Sequence, residues 1–274
     1  MPELPEVETV RRGLESHVLG RSIARVDVRD RRLRVPVDEA LLARTSRGRR
    51  IEAIDRRAKY LLMRLDSGDV ILMHLGMSGR MAVVPKATPF EPHTHVVLEL
   101  DDGREIRFRD PRRFGLVQAI RRTDVLDHAL LRDLGIEPFS TDFTPEFLVR
   151  AARGLKKPVK NFLMDGHVVV GVGNIYACES LFEAAISPRR AAGRLKRTEW
   201  SRLHAAVVAV LEEAVRQGGT TLNDFAAVDG GQGYFQVKLR VYDRKGLDCA
   251  RCGEPVRRIV QAGRSTFYCR GCQH

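Results

Sequence analysis

Cys249-Ala250-Arg251-Cys252-Gly253-Glu254-Pro255-Val256-Arg257-Arg258-Ile259-Val260-Gln261-Ala262-Gly263-Arg264-Ser265-Thr266-Phe267-Tyr268-Cys269-Arg270-Gly271-Cys272 holds two C-x2-C pairs separated by 16 residues, the form of a four-thiolate zinc site. Each pair wraps one knuckle around a metal. Four thiolates from Cys249, Cys252, Cys269 and Cys272 would close a tetrahedral shell with no position left for water, so the single Zn2+ expected here is structural. Residues 257–260 and 265–268 flank Ala262-Gly263-Arg264, the pattern of a two-stranded ribbon with an arginine at its tip. A ribbon this basic suits phosphates or a groove. Two redox disulfides are the other reading of the same spacing. The fifth cysteine, Cys178, lies in an apolar helical setting and reads as a core thiol. Clustering of the other four points to a metal site in a reducing compartment more than to a disulfide framework.

Upstream of the ribbon the texture is helical. Apolar spacing and stop signals predict helices at about 125–134, 145–153, 158–164, 174–185 and 196–217, the second opened by Thr144-Pro145-Glu146 and the last stopped by Gly218-Gly219. Between 22 and 122 the pattern is β: runs at 23–28, 51–54, 60–65, 70–75, 81–84, 95–100, 105–108 and 115–120, with turn-rich Asp66-Ser67-Gly68-Asp69 and Asp101-Asp102-Gly103 between them. That spacing suggests a sandwich or a barrel. In front, Val7, Val10, Leu14 and Val18 recur every three or four residues, which predicts an amphipathic helix ending near Gly20. The expected fold class is α+β, with domains at 1–130, 131–237 and 238–274.

A chain of 274 residues, 43% hydrophobic and 30% charged, is long enough for a sizeable core and excludes extensive disorder. Its longest apolar run, around 168–173, falls far short of a membrane span, and Met1-Pro2-Glu3 opens no secretory signal. A cytoplasmic, nucleoid-associated protein with no membrane contact is expected. The 47 Lys and Arg against 35 Asp and Glu leave a formal charge of +12, half of it carried by residues 238–274. Six arginines fall between Arg21 and Arg34 and seven between Arg104 and Arg122. A polyanionic partner is implied, with general solubility as the alternative.

The amino terminus offers chemistry. Removal of Met1 would leave Pro2 as a secondary amine, and an α-amino group titrates near ~7.8 against ~10.4 for lysine, so far more of it is uncharged at neutral pH. Such an amine could add to an aldehyde-like carbon and form an iminium, with Glu3 and Glu6 beside it for proton transfer. Pro-Glu at this place also reads as an ordinary helix start with acids favoured by the dipole.

Read together, Pro2-Glu3-Leu4-Pro5-Glu6-Val7-Glu8-Thr9-Val10, Ala58-Lys59-Tyr60-Leu61-Leu62, His74-Leu75-Gly76-Met77-Ser78-Gly79, Asp110-Pro111-Arg112-Arg113-Phe114-Gly115, Gly171-Val172-Gly173-Asn174-Ile175-Tyr176 and the four-cysteine ribbon resemble, in this order and over the whole length, the formamidopyrimidine-DNA glycosylase family. The resemblance implies an N-terminal β-sandwich led by a catalytic helix, a helical domain with a helix-two-turn-helix, and a zinc-ribbon finger. It implies a bifunctional glycosylase and abasic-site lyase of base excision repair, a monomer acting on damaged double-stranded DNA, that excises 8-oxoguanine and formamidopyrimidines through a Pro2 Schiff base and β,δ-elimination.

Carried over residue by residue, the resemblance makes Pro2 the nucleophile and Glu3 a proton relay. Lys59 becomes a catalytic cation, with Glu3, Lys59 and Arg264 as candidate proton donors. Asn174 and Arg264 would hold phosphates, with His74, Tyr242 and Lys160 as further DNA contacts. Met77, Arg112 and Phe114 would fill the hole left by the flipped base, as a duplex base must be extruded before it can be reached. In isolation Lys59 also reads as a solvated strand lysine, and Met77 and Phe114 as core. The carbonyl of Thr220, in a glycine-rich loop, would meet the lesion. Two departures are visible: Asp243 stands where the pattern usually has glycine, and Ala227-Val228-Asp229 is unusual in the loop. The alternatives are a pyrimidine-preferring, endonuclease VIII-like glycosylase and a non-catalytic zinc protein that only binds damaged DNA.

Overall fold

The computed structural model describes residues 2–125, 127–218 and 239–274, which divide into two compact units: one ends at Arg132, and the other joins Asp133–Gln217 to the C-terminal segment. The first unit opens with helix α1 (Leu4–Val18), whose Val7, Val10, Leu14 and Val18 are buried as the spacing predicts, with Leu4 buried at its first turn as well. Strand β1 (Ile23–Val28), helix α2 (Glu39–Ser46) and strands β2 (Ile51–Arg57), β3 (Tyr60–Leu65), β4 (Val70–His74), β5 (Arg80–Pro85), β6 (Thr94–Leu100), β7 (Arg104–Arg109) and β8 (Leu116–Ile120) follow. They pair as two antiparallel four-stranded sheets, β1-β6-β7-β5 and β2-β3-β4-β8. One core gathers side chains of α1 and of both sheets, so the alternatives of sandwich and barrel resolve to a sandwich. Within it Leu14 is fully buried, and truncation to alanine would cost about 2–5 kcal/mol.

Two elements differ from expectation. Helix α2 interrupts a stretch that reads as β only; Asp38 caps it, its Oδ1 accepting the Leu41 N–H at 2.9 Å, and Leu42 fills the core. The helix expected at 125–134 does not form among the described residues, which follow turns instead. Val125, Leu130 and Leu131 dock on Leu72, Leu116 and Ile120, the outer side of the second sheet. Apolar residues spaced like a helix stripe are thus satisfied by a sheet surface, and turns bring them there.

The second unit holds α3 (Pro145–Ala152), α4 (Val159–Leu163), α5 (Asn174–Glu183) and α6 (Arg197–Arg216), packed around Phe162, Tyr176, Leu181, Trp200, Leu203 and their neighbours. Thr144 caps α3 through the Phe147 N–H, with Pro145 in the first turn. Strands β9 (Arg257–Gln261) and β10 (Arg264–Tyr268) form the expected ribbon. Ala262 and Gly263 both have positive φ, the signature of the two-residue turn whose twist matches such a hairpin. Among the described residues no helix is long and apolar enough to cross a membrane.

Candidate active site

In the first unit the functional candidates collect at one end of the β2-β3-β4-β8 sheet. Arg11 donates to the Ile54 carbonyl and Arg56 Nε to Glu8 Oε2 at 3.1 Å, so α1 runs along β2 with its N-terminus toward the β2–β3 turn. Burial opposes the Glu8 charge, yet Arg11 and Arg56 beside it hold its carboxyl below the usual range. At the tip of α1, Pro2 is buried and Glu3 and Glu6 are each only 3% exposed. The Glu3 N–H donates to Glu6 Oε2 at 2.8 Å. Two carboxyls this deep cost solvation unless they are hydrogen-bonded, so Glu6 fixes the backbone that carries Glu3 and Pro2.

Lys59 occupies the two-residue turn between β2 and β3. Ala58 beside it is left-handed at φ 55°, a strain of about 1–2 kcal/mol for a non-glycine residue, and Arg56 Nη1 donates to its carbonyl at 3.1 Å. Across the strands Tyr60 pairs with His74 and His74 with Leu116, so the turn and the ends of β4 and β8 are neighbours. The Tyr60 and His74 rings lie 4.9 Å apart. Burial first, then the charges of Arg34 and Lys59, pushes His74 down to about 4. Its Nδ1 accepts the Gly76 N–H at 2.9 Å, which assigns the proton of the neutral ring to Nε2. His74 is therefore a neutral donor set among cations.

A pH effect follows. The folded pKa of His74 lies below its unfolded value of about 6.5, so the unfolded chain binds the extra proton and stability falls as pH drops from there toward 4, by about 3 kcal/mol in all. Urea unfolding at pH 7.5 and 4.5 should show a loss that shrinks by that amount in His74→Gln; an unchanged difference would contradict the assignment.

Met77 and Phe114 are 38% and 47% exposed, which excludes the core reading of both. The Arg112 guanidinium stands 4.8 Å from the Phe114 ring centre.

In the second unit Lys160 is fully buried. Its Nζ donates to Asn174 Oδ1 at 2.5 Å and to Thr266 Oγ1 at 2.7 Å, and Asn174 Nδ2 donates to the Ser265 carbonyl at 2.9 Å. Asn174 opens α5, whose dipole favours an anion there. The resemblance implies Lys160 as a DNA contact; the geometry instead joins it to Asn174 and the ribbon, since a buried ammonium needs acceptors around it. Arg264 begins β10 beside the turn and is exposed. Tyr242 stacks edge-on against Phe267 at 5.1 Å, and Glu179 accepts the N–H groups of Arg240, Val241 and Tyr242. Asp243 adopts φ 58°, the left-handed conformation that glycine supplies elsewhere and that aspartate tolerates. Thr220 and residues 227–229 lie outside the described residues.

The sulfurs of Cys249, Cys252, Cys269 and Cys272 all lie within 4.8 Å of one another. Cys249 and Cys272 are 3.8 Å apart and Cys252 and Cys269 3.4 Å, near the ~3.8 Å edge of a tetrahedron with 2.3 Å zinc–sulfur bonds. The residues fit one structural zinc. Cys178 packs in the finger's core with Phe182, Val256 and Phe267. Reading the sequence missed Arg34, Glu179 and Asp110. Arg34 and Glu179 carry no local signature, whereas Asp110 opens the Asp110-Pro111-Arg112 motif.

Comparison with known proteins agrees with this geometry. Family models match in three segments: the formamidopyrimidine-DNA glycosylase N-terminal domain at residues 1–117, its H2TH domain at 134–226, and the zinc finger found in FPG and IleRS at 246–274. A formamidopyrimidine-DNA glycosylase of Thioalkalivibrio sulfidiphilus is 52% identical over the full length of both chains. Among solved structures, the MutM (Fpg) protein of Thermus thermophilus is 44% identical with a TM-score of 0.87, covering 99% of this chain and 98% of its own. Lactococcus lactis Fpg in complex with DNA containing an abasic site is 31% identical with a TM-score of 0.91, covering 99% of both chains. With all three segments matched and half of its residues shared end to end with such a relative, this chain belongs to the formamidopyrimidine-DNA glycosylase family.

Proposed function

We propose that this DNA glycosylase of base excision repair excises oxidised purines, 8-oxoguanine and formamidopyrimidines, from double-stranded DNA and then cuts the strand as a lyase. The observation that carries the reading is the tip of α1, where Pro2 precedes two buried carboxyls, one of which holds the backbone of the other. Once Met1 is removed, the Pro2 nitrogen attacks C1′ of the extruded nucleotide, the glycosidic C–N bond breaks, and the base leaves with a proton relayed by Glu3. The C1′–O4′ bond then breaks as O4′ takes a proton, opening the sugar ring, and the iminium so formed draws electrons from C2′. Loss of a C2′ proton breaks the C3′–O bond, and a second elimination breaks C5′–O, leaving a one-nucleotide gap.

Lys59 and neutral His74 hold the lesion phosphate, one as a charge and one as an Nε2 donor. Asn174 and Arg264 grip the backbone, and Lys160 acts through Asn174 and the ribbon. Met77, Arg112 and Phe114 fill the vacated stack, which accounts for two large apolar side chains left in water. Zinc, when bound, supplies only the rigidity of the finger. The enzyme works as a cytoplasmic monomer on the nucleoid.

The test is sodium borohydride trapping on duplexes carrying 8-oxoguanine opposite cytosine or thymine glycol. A covalent adduct favouring the first is expected. Preference for thymine glycol would point to the pyrimidine-directed alternative, and no adduct on either to binding without catalysis. Affinity should also fall steeply with salt, by roughly 10³–10⁵ between 50 and 200 mM if six to ten phosphates are neutralised. Anisotropy titrations giving a shallow slope would mean that the arginine clusters face elsewhere.

A further inference from the structure

We propose that Asp110 is the positioning residue that locks Met77, Arg112 and Phe114 into a single preformed wedge; the inference rests on the role assigned to those three side chains above. Asp110 follows β7 and is fully buried, and its carboxylate is held by neutral donors. Each carboxylate oxygen serves a different piece of the wedge. Oδ1 accepts the Ser78 hydroxyl at 2.6 Å and the Arg112 N–H at 3.3 Å, while Oδ2 accepts the Gly115 N–H at 2.7 Å. Ser78 Oγ accepts the Arg112 N–H at 3.2 Å in turn. One carboxylate thereby ties the loop bearing Met77 to the loop bearing Arg112 and Phe114, with Ser78 and Asp110 32 residues apart in the chain.

The two loops also touch directly. Gly76 has φ +61°, and a Cβ there would fall 2.4 Å from the Phe114 carbonyl carbon and 2.5 Å from the Gly115 nitrogen. Between the wedge residues, Arg113 is left-handed at φ 59° and turns away to Asp30 Oδ2 at 2.6 Å. The main chain of Asp110 is anchored as well: its N–H donates to the His93 carbonyl and its carbonyl accepts His95 Nε2 at 2.8 Å. A buried carboxylate costs solvation that these donors offset, and the return is rigidity. A wedge held in place before DNA arrives loses less conformational entropy when it enters the stack.

The zinc-loaded full-length Asp110→Asn protein tests this. Asparagine keeps the shape and one acceptor, but whichever way its amide turns, the NH2 faces a backbone N–H that the carboxylate accepts, that of Gly115 or that of Arg112. Two substrates separate the roles: a duplex with 8-oxoguanine opposite cytosine, which needs the wedge, and a single strand with an abasic site, which leaves no hole to fill. Duplex kcat should fall about a hundredfold, with single-strand elimination and its borohydride adduct kept within about twofold. The fluorescence rise of 2-aminopurine beside the lesion, which reports unstacking, should slow in parallel. Ser78→Ala, which breaks the link between the loops and spares the Gly115 contact, should give a smaller loss confined to the duplex. Equal losses on both substrates, or no loss on the duplex in either variant, would overturn the proposal. Failure of the unmodified protein to form an adduct would instead refute the function assigned above.

Discussion

Pro2→Gly should abolish the borohydride-trapped adduct with 8-oxoguanine duplex DNA, and peptide mapping of the adduct from the unmodified protein should find the sugar on the N-terminal peptide. Proline offers a secondary amine whose ring fixes the chain direction at the head of α1, where the adjacent Glu3 and nearby Glu6 are buried and hydrogen-bonded to one another. Glycine removes the ring and frees the backbone, so the nitrogen is neither substituted nor aimed. Glu3→Gln should leave DNA binding intact and slow base release by about 10²–10⁴, the range for a lost general acid or base. Lys59→Ala, by contrast, should excise slowly and still be trapped, because Lys59 assists from the β2–β3 turn without becoming the electrophile's partner. Undiminished trapping in Pro2→Gly, or an adduct mapped to Lys59, would sink the assignment.

Stripping zinc with a chelator should abolish tight DNA binding while the sandwich keeps its hydrogen-exchange protection. Structural zinc contributes about 10–16 kcal/mol to a finger's folding, far more than the small apolar cluster of Val241, Val256 and Phe267 can replace. Loss of the ribbon removes Thr266 and the Ser265 carbonyl, the acceptors that hold Lys160 and Asn174. Damage to the finger therefore reaches the start of α5. The core of the first unit contains no finger residue among those described, so protection of β2, β3 and β4 should persist. Loss of protection there on chelation would contradict the independence of the two cores.

Much of this was legible from residue order because the signals are local. Cysteine spacing specifies a tetrahedral cage whatever surrounds it, and the α1 stripe and the alternating strands each declare a buried side within a few residues. The errors arose where a local pattern had two physical solutions. Val125, Leu130 and Leu131 fit a helix stripe, but the sheet surface of Leu72, Leu116 and Ile120 was there to take them. Helix α2 was hidden among strands although Asp38 and Leu41 carry its cap.

What residue order alone determined was the inventory: a secondary amine at the head of an amphipathic helix, a run of sandwich strands, four metal-binding thiols and an excess of cations. What only the folded chain decided was which groups face one another. Lys160 became an internal strut, His74 a neutral donor and Asp110 the tie between two loops, because each depends on partners from distant segments whose approach is set by how sheets and helices pack. Hydrogen bonds between residues so far apart in the chain leave no periodic trace, since their energy is realised only after the cores have closed.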